Sequence, residues 1–475
     1  MEAAAYQVIC VDLDHTLLRT DLTQEAILAL IRRKPGLAWR LPLWMLKGRP
    51  YLKEQLVKHV ALDVTALPYN EELIRRLQAV RHEKKIVLAT ASPEVWARKI
   101  ADHLGLFHEV VATSDTVNLK GRYKADCLEQ RYGAEGFCYV GDAWVDISVW
   151  RKARAAWIIS GVSTLIHQAR KVTTVEQVLP PPCAGVRSWL KALRIHQWIK
   201  NVLLFLPLLL AHKIQEAPRL ENVVIGFLLF SLMTSSVYLI NDLLDLEADR
   251  QHPRKRHRAF AAGLISIPVG LLAALALAGV ALGVGYGRLG ADFCLATLFY
   301  AIAVMAYSFH FKKLYTLDVI LLGGFYTFRI YLGGIVADVP VSTWLAGFSM
   351  FFFLNLAFIK RFVEVKKLAL RGGQSVDRRG YHVDDLSMIQ SMGTSCGYLS
   401  VLIFTIYING ETVAQLYRHP NILWFISVFV LFWVTRLWFL AGRNQLDDDP
   451  IVFTLKDPNS YLIWFLIALL FWFAT

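Results

Sequence analysis

The sequence predicts an α/β domain with a helical cap, followed by an all-α polytopic membrane domain of nine transmembrane helices. Three observations predict it. Residues 1 to about 180 have a soluble composition, whereas from about 198 onward apolar stretches of about 20 residues recur, the length that spans a bilayer. In the first part, short β-rich runs alternate with helical patterns. The whole chain, 475 residues with 55% hydrophobic and 12% aromatic content, is too apolar for an ordinary water-soluble enzyme and long enough for about two or three domains.

In the first domain, residues 1–178, the runs QVICVDLD, KIVLATAS and GFCYVGDA each end in polar residues where a loop would begin. Helical patterns such as EELIRRLQAVRHE and KADCLEQRYG lie between them. This alternation implies a parallel, doubly wound sheet with its site at the carboxyl ends of the strands. Residues from about 20 to 75 interrupt it with helical sequence, as an inserted cap would. LPPPCAG, within residues 179–190, is a stiff proline-rich linker and the domain boundary.

The second domain, residues 191–475, holds nine apolar spans near 199–212, 221–241, 266–286, 292–311, 317–336, 344–362, 389–410, 421–440 and 459–474. With the N-terminus inside, the even-numbered loops carry sixteen Lys and Arg from Arg250 to Lys456, including Arg371, Arg378 and Arg379. The odd-numbered loops carry only Lys213, Arg219, Arg288 and Arg418. The positive-inside rule therefore places the first domain and the acidic motif described below on the cytoplasmic side, with the C-terminus outside; the membrane is expected to be a bacterial inner (plasma) membrane. The net charge of +13 reads as this orientation plus anionic substrates. With no basic stripe on a soluble face, nucleic acid is not an expected partner. Six scattered cysteines with no CxxC exclude a zinc site or a disulfide framework and fit a reducing compartment. QVICV is too short for a signal peptide. A homo-oligomer stays open.

Four elements in the first domain carry chemistry. DLDHT, with Asp12 and Asp14, follows the first strand, and ATAS, with Thr90, follows a later one. Lys124 opens the helix of KADCL, and GDAWVD, with Asp142 and Asp146, follows FCYV. A single Asp at a strand end commonly caps a helix, but four elements in this order resemble the haloacid dehalogenase (HAD) superfamily, a Rossmannoid fold, over residues 1 to about 170. The resemblance implies that Asp12 is a nucleophile forming an aspartyl-phosphate. Asp14 would protonate the leaving alcohol and then activate water. Thr90 and Lys124 would hold phosphoryl oxygens, with Lys120 a rival for the lysine role. One Mg²⁺ would be held among Asp12, Asp14, Asp142 and Asp146. Such a set suits a phosphomonoester dianion, which must be neutralised before a carboxylate can attack. The cap segment KPGLAWRLPLWMLKGR, Lys34 to Arg49, has two readings, packing inside the cap or lying on the membrane surface.

The second span ends in NDLLDLEAD, Asn241 to Asp249, followed by RQHPRKRHR. Carboxylates at Asp242, Asp245 and Asp249 fall near one face of a helix where it should leave the bilayer. Acids at that depth need a polar cavity or a cation, and oxygen ligands at this spacing suit Mg²⁺ bridging a substrate phosphate. Nine spans with NDxxDxxxD ending the second resemble the UbiA superfamily of intramembrane prenyltransferases, over about 190–475. The second acidic motif that typical members carry is missing from YSFHFKKLYTLDVILLGGFYTFR.

RIHQWIKN, FIKRFVEVKKL with Glu364, and RRGYHVDDL with Tyr381 resemble instead the polyprenyl (decaprenyl)-phosphate phosphoribosyltransferase branch of that superfamily. The resemblance implies transfer of 5-phosphoribose from phosphoribosyl diphosphate to a polyprenyl phosphate, with diphosphate released. Asp242, Asp245 and Asp249 would hold one or more Mg²⁺, with Asn241 orienting the diphosphate. Lys312, Lys360 and Arg361 would bind donor phosphates, and Arg194, Lys200 and Arg329 the lipid phosphate or the donor. Basic residues are also what topology requires of these loops. The first domain would then remove the 5-phosphate to give polyprenyl-phosphoryl ribose, a step in cell wall biosynthesis. Two alternatives stay open: a prenyltransferase joining an isoprenyl diphosphate to a small acceptor with a regulatory HAD domain, and a transporter with a sensing HAD domain.

Overall fold

The computed structural model describes residues 6–113, 119–370, 372, 380–410, 413, 416–446, 450–454 and 456–475. Arg371, Arg378 and Arg379 lie outside the described residues. The chain divides into two compact units, residues 6–195 with 238–275, and residues 196–237 with 276–475.

The first unit is built on a six-stranded sheet in the order β3-β2-β1-β4-β5-β6, every neighbouring pair parallel. The strands are β1 (Val8–Val11), β2 (Lys85–Pro93), β3 (Glu109–Thr113), β4 (Phe137–Gly141), β5 (Ala155–Ile158) and β6 (Thr174–Val178). Central β1 and β4 are apolar throughout, as strands covered by helices on both faces must be. In register Val8 faces Lys85 on one side and Phe137 on the other. The strand order reverses beside β1, so β1 and β4 open a crevice at their carboxyl ends. The three runs expected as strands are β1, β2 and β4. Between β1 and β2 lies the expected helical insertion: α1 (Leu22–Arg33), a 3₁₀ turn Pro35–Arg40, α2 (Leu41–Leu46), α3 (Arg49–His59) and α4 (Glu71–Val80). Asp21 starts α1 by accepting the Thr23 and Gln24 N–H groups, and Asn70 caps α4 through Leu73 N–H. Beyond β2 come α5 (Glu94–Leu104) and α6 (Arg122–Tyr132).

The second unit is helical. Among the described residues seven helices are long and apolar enough to cross a membrane: Ala217–Leu244, Ile267–Leu289, Ala291–Phe309, Leu317–Ala337, Thr343–Ala369, Val383–Ile408 and Pro420–Gly442. Parts of the first two belong to the first unit. The expected first and ninth spans are shorter apolar helices, Ile195–Leu210 and Pro458–Ala474. The first is short because Ile195–Phe205 winds as 3₁₀ before an α turn with Pro207. Gly333 lets Leu317–Ala337 press on the short segment, since a Cβ there would lie 2.2 Å from the Leu204 carbonyl oxygen. Apolar packing dominates the rest, with Phe352 stacked on Trp433 at 5.6 Å between centroids. An ion pair is sealed inside. Arg361 and Asp318, 1% and 0% exposed, are joined directly, and Asp318 also accepts the Tyr307 hydroxyl. Removing the Arg361 charge would strip the buried Asp318 carboxylate of its cation, a cost of roughly 3–5 kcal/mol.

Candidate active sites

At the carboxyl end of β1 the chain turns so sharply that Asp12 accepts the Leu13 N–H at 2.8 Å while its own N–H reaches Val140 on β4 at 3.0 Å. That turn sets Asp12 beside the end of β4. Gly141 is required there, because a Cβ would lie 2.6 Å from Asp146 Oδ2 and 2.8 Å from the Tyr139 ring. The chain then folds back, and Asp146 Oδ2 accepts the N–H groups of Asp142 and Ala143 at 3.1 and 3.0 Å. Ligand oxygens of Asp12, Asp142 and Asp146 lie within 4.8 Å of one another, and among the described residues no other group of three acids, histidines or cysteines converges in this way. Thr16 holds Asp142 through a hydrogen bond of 2.9 Å.

The Lys124 ammonium, on the first turn of α6, sits 2.9 Å from Asp12 Oδ1 and donates to the Tyr139 hydroxyl at 2.9 Å. Burial pulls this ammonium down, yet the Asp12 and Asp146 carboxylates outweigh it and hold the pKa above its ordinary value. Burial, then Asp146 and Asp12, push Asp142 up to about 8. Burial and the Asp12 charge push Asp146 up to about 6. Three carboxylates this close, with a single lysine against them, are a donor set fitted to a divalent cation, which would draw Asp142 and Asp146 back to the charged form.

Asp14 stands apart from the other three acids. Its carboxyl accepts the Leu22 N–H at 2.9 Å and the Ser92 hydroxyl at 2.6 Å, and burial followed by the Asp21 charge pushes it up to about 7. Thr90 is fully buried and accepts the Ser92 N–H at 3.0 Å. Thr90 and Ser92 both lie in the irregular last part of β2, and it is the second hydroxyl that reaches an acid of the site. Lys53, on α3, was not expected from sequence either. It donates to the Ala91 carbonyl at 2.8 Å, and burial lowers its pKa, opposed by Asp14. Lys53, Lys120 and Lys124 line one cavity of about 1470 Å³ with Asp12, Asp14 and Asp142. An anionic phosphate would enter a cleft in which cap and core both present ammonium groups.

The motif Asn241–Asp249 straddles the end of the helix Ala217–Leu244 and the short helix Leu246–Gln251, with Asn241 on the last turn of the first. Two of its acids converge. Arg258 Nη1 bridges Asp242 Oδ1 at 3.0 Å and Asp249 Oδ2 at 2.7 Å, so one cationic nitrogen already stands between them. Arg194 adds a second contact to Asp242 Oδ1 at 2.5 Å while its guanidinium lies 4.5 Å from the Tyr238 ring centre. Burial raises Asp249 above the usual carboxylate range although Arg258 opposes it. The third acid turns elsewhere, Asp245 pairing with Arg32 of α1 at 2.9 Å. Beside it Arg33 pairs with Glu247, Gln251 donates to Asp63 at 3.0 Å, and Arg250 grips Glu25 in a two-pronged buried pair at 2.9 and 2.7 Å. The donor chemistry at Asp242 and Asp249 fits a divalent cation where the arginine nitrogen now stands.

The basic residues expected to bind phosphate divide by surroundings. Arg361 is committed to Asp318 and Glu364. Arg329 is buried and donates to Asn201 at 2.9 Å, the Tyr300 hydroxyl at 2.7 Å and the Phe325 carbonyl. Lys200 lies 5.7 Å from the centre of the Tyr326 ring. Lys312, in the turn Phe311–Lys313, and Lys360, on Thr343–Ala369, are half-buried. The Tyr381 hydroxyl accepts the Thr316 N–H at 3.0 Å.

A parallel α/β domain with a carboxylate cluster, joined to apolar helices with an acidic motif, defines a class of membrane enzyme. Residues 202–456 match the UbiA prenyltransferase family and residues 9–151 match haloacid dehalogenase-like hydrolases. The first match spans more than half of the chain, and the chain belongs to the UbiA prenyltransferase family. With its apolar helices, this makes it a multi-pass membrane protein carrying a HAD-like domain.

The chain is similar to the uncharacterized protein y4nM of Sinorhizobium fredii, with 37% identity over 468 residues, 97% of this chain and 89% of that one. It is similar to the nodulation protein NoeC of Azorhizobium caulinodans, with 32% identity over 276 residues, 58% of this chain and 88% of NoeC. It is also similar to the decaprenyl-phosphate phosphoribosyltransferase of Corynebacterium glutamicum, with 35% identity over 191 residues, 39% of this chain and 57% of that enzyme.

Proposed function

We propose that this protein is a bifunctional membrane enzyme that transfers 5-phosphoribose from phosphoribosyl diphosphate to a polyprenyl phosphate and then removes the 5-phosphate. The observation that carries it is the joining of an assembled Asp12–Lys124–Asp142–Asp146 cluster to a membrane domain similar to a decaprenyl-phosphate phosphoribosyltransferase. A lipid carrying phosphoribose is a phosphomonoester, and a phosphatase on the same chain meets it at high effective concentration. For a prenyltransferase joining an isoprenyl group to a small acceptor, a phosphatase has no evident task.

In the transfer, a lipid phosphate oxygen bonds to the ribose anomeric carbon as the bond to diphosphate breaks. Asp242 and Asp249 would hold Mg²⁺, with Asp245 and Asn241 beside them. The bound ion would neutralise the departing diphosphate. Arg258 and Arg194, then relieved of the acids, would turn to phosphate oxygens. Lys312 and Lys360 take the donor's phosphates, and Lys200 and Arg329 the lipid phosphate or the donor, while Arg361, expected among the donor's ligands, stays with Asp318 and Glu364. In the phosphatase, Asp12 attacks phosphorus, Asp14 hands a proton to the leaving ribose oxygen, and Lys124, Ser92 or Thr90 and Lys53 hold the phosphoryl oxygens. Asp14 then takes a proton from the water that cleaves the aspartyl-phosphate. Asp12, Asp142 and Asp146 would hold a second Mg²⁺.

We assign residues 1–178 to the phosphatase, 179–190 to the linker and 191–475 to the transferase, with both sites on the cytoplasmic face of a bacterial inner membrane. Nine spans fit if the shorter helices also cross. A 3₁₀ run rises about 2.0 Å per residue, so Ile195–Leu210 reaches roughly 30 Å, and Pro458–Ala474 about 26 Å. The test supplies purified protein with ribose-labelled phosphoribosyl diphosphate and a polyprenyl phosphate. Labelled lipid and free diphosphate are expected. No labelled lipid, with diphosphate released from a prenyl diphosphate instead, would establish the prenyltransferase reading in its place.

A further inference from the structure

The apolar cap segment is not consumed by the fold. Leu41 and Trp44 turn inward, Trp44 stacking on His59 at 5.6 Å between centroids, whereas Trp39, Leu43, Met45 and Leu46 project outward, Leu46 with 84% of its surface exposed. Exposed Lys34, Arg40 and Lys47 border this face, and the Arg40 guanidinium lies 5.3 Å from the Trp39 ring centre. A short helix with an outward apolar face and a cationic rim suits the headgroup layer of a bilayer, where tryptophan is enriched.

The ends of the cap say which occupant covers that face. Arg32 and Arg33, just before the segment, pair with Asp245 and Glu247, which directly follow the apolar helix Ala217–Leu244. Asp63, just after α3, accepts from Gln251 of the same stretch. Both ends of the cap are therefore fixed to residues where the chain leaves a membrane-spanning helix. Met45, Lys47 and Arg49, beside the exposed face, line the cavity that holds Asp12.

We propose that the exposed face of Pro35–Leu46 lies in the headgroup layer of an anionic lipid bilayer and that the Asp12 cleft takes its phosphomonoester from lipids in that layer. The substrate-class half rests on the phosphatase reading above; the docking half does not. Cationic Lys34, Arg40 and Lys47 meet the anionic headgroups, and the leucines and Trp39 enter the acyl boundary. Met45 and Lys47 connect that layer to the cleft, so a lipid-borne phosphate need not leave the surface to reach Asp12.

Two measurements on the full chain in nanodiscs containing phosphatidylglycerol test this. In a Cys183→Ser background, a nitroxide at Leu46→Cys is compared with one at Val162→Cys, an exposed position outside the cap. At position 46 it should collide with oxygen and be shielded from an aqueous nickel chelate; at 162 the reverse holds. The double variant Leu43→Ser, Leu46→Ser should hydrolyse a synthetic dialkyl lipid bearing ribose 5-phosphate roughly tenfold more slowly, with hydrolysis of free ribose 5-phosphate unchanged. Equal nickel access at 46 and 162 would overturn the docking. Equal loss on both substrates would overturn the lipid route into the cleft. A lipid-facing nitroxide at position 46, together with an unlabelled wild-type protein that hydrolyses neither compound, would uphold the docking and overturn the phosphatase reading.

Discussion

Asp12→Asn should abolish phosphomonoester hydrolysis, by on the order of a thousandfold or more, while leaving transfer to lipid intact. The amide keeps the size of the side chain and its hydrogen bond with Leu13, but it cannot form the aspartyl-phosphate, and it removes the charge that Lys124 faces at 2.9 Å. Asp142 and Asp146 keep their own partners, Thr16 and the backbone N–H groups, so the cleft should persist. Supplied with phosphoribosyl diphosphate and polyprenyl phosphate, the variant should accumulate a lipid that still bears its 5-phosphate, read by mass spectrometry of the lipid extract. Dephosphorylated product from Asp12→Asn would refute the sequential role of the cleft.

Asp242→Asn should eliminate the labelled lipid altogether, with transfer falling by about a hundredfold or more. Asp242 is the acid on which Arg194 and Arg258 both converge, and Asp249 reaches the same guanidinium nitrogen. Loss of that carboxylate weakens the cation position, takes from Arg194 its contact with the acid and leaves Arg258 with Asp249. Asp245→Asn should cost less, because Asp245 pairs with Arg32 and lies off the shared nitrogen. Hydrolysis of soluble ribose 5-phosphate by the Asp242→Asn protein reports that the first unit has kept its fold. Equal transfer rates for the two variants would contradict the division of the three acids seen in the structure.

Much of the first domain was legible because chemistry-bearing residues mark its strand ends. Asp12 and Asp142 directly follow the apolar runs that are β1 and β4, whereas Thr90, expected after its strand, lies inside β2, which runs on to Pro93. Strands β3, β5 and β6 carry no such ending; EVVAT and TVEQV are short, part-exposed and at or near a sheet edge, where alternation is weak. Ser92 escaped because two hydroxyls two residues apart are equivalent in sequence, and only tertiary contact with Asp14 separates them. The acidic motif was legible as a spacing. Its partition was not, since Arg32 lies more than two hundred residues before Asp245 and no local pattern joins them. Arg361 and Arg329 show the same gap: a basic residue near a span reads alike as a topology signal or a phosphate ligand, and its partners, Asp318 and Asn201, are set by packing between helices.

The proposed order of events is transfer first and dephosphorylation second. The direct measurement is a time course with phosphoribosyl diphosphate labelled both in the ribose and at the 5-phosphate. The lipid fraction should gain both labels together and then lose only the 5-phosphate label as inorganic phosphate, with Asp12→Asn holding both. Inorganic phosphate released before any label reaches lipid, or a lipid that never carries the 5-phosphate, would contradict it.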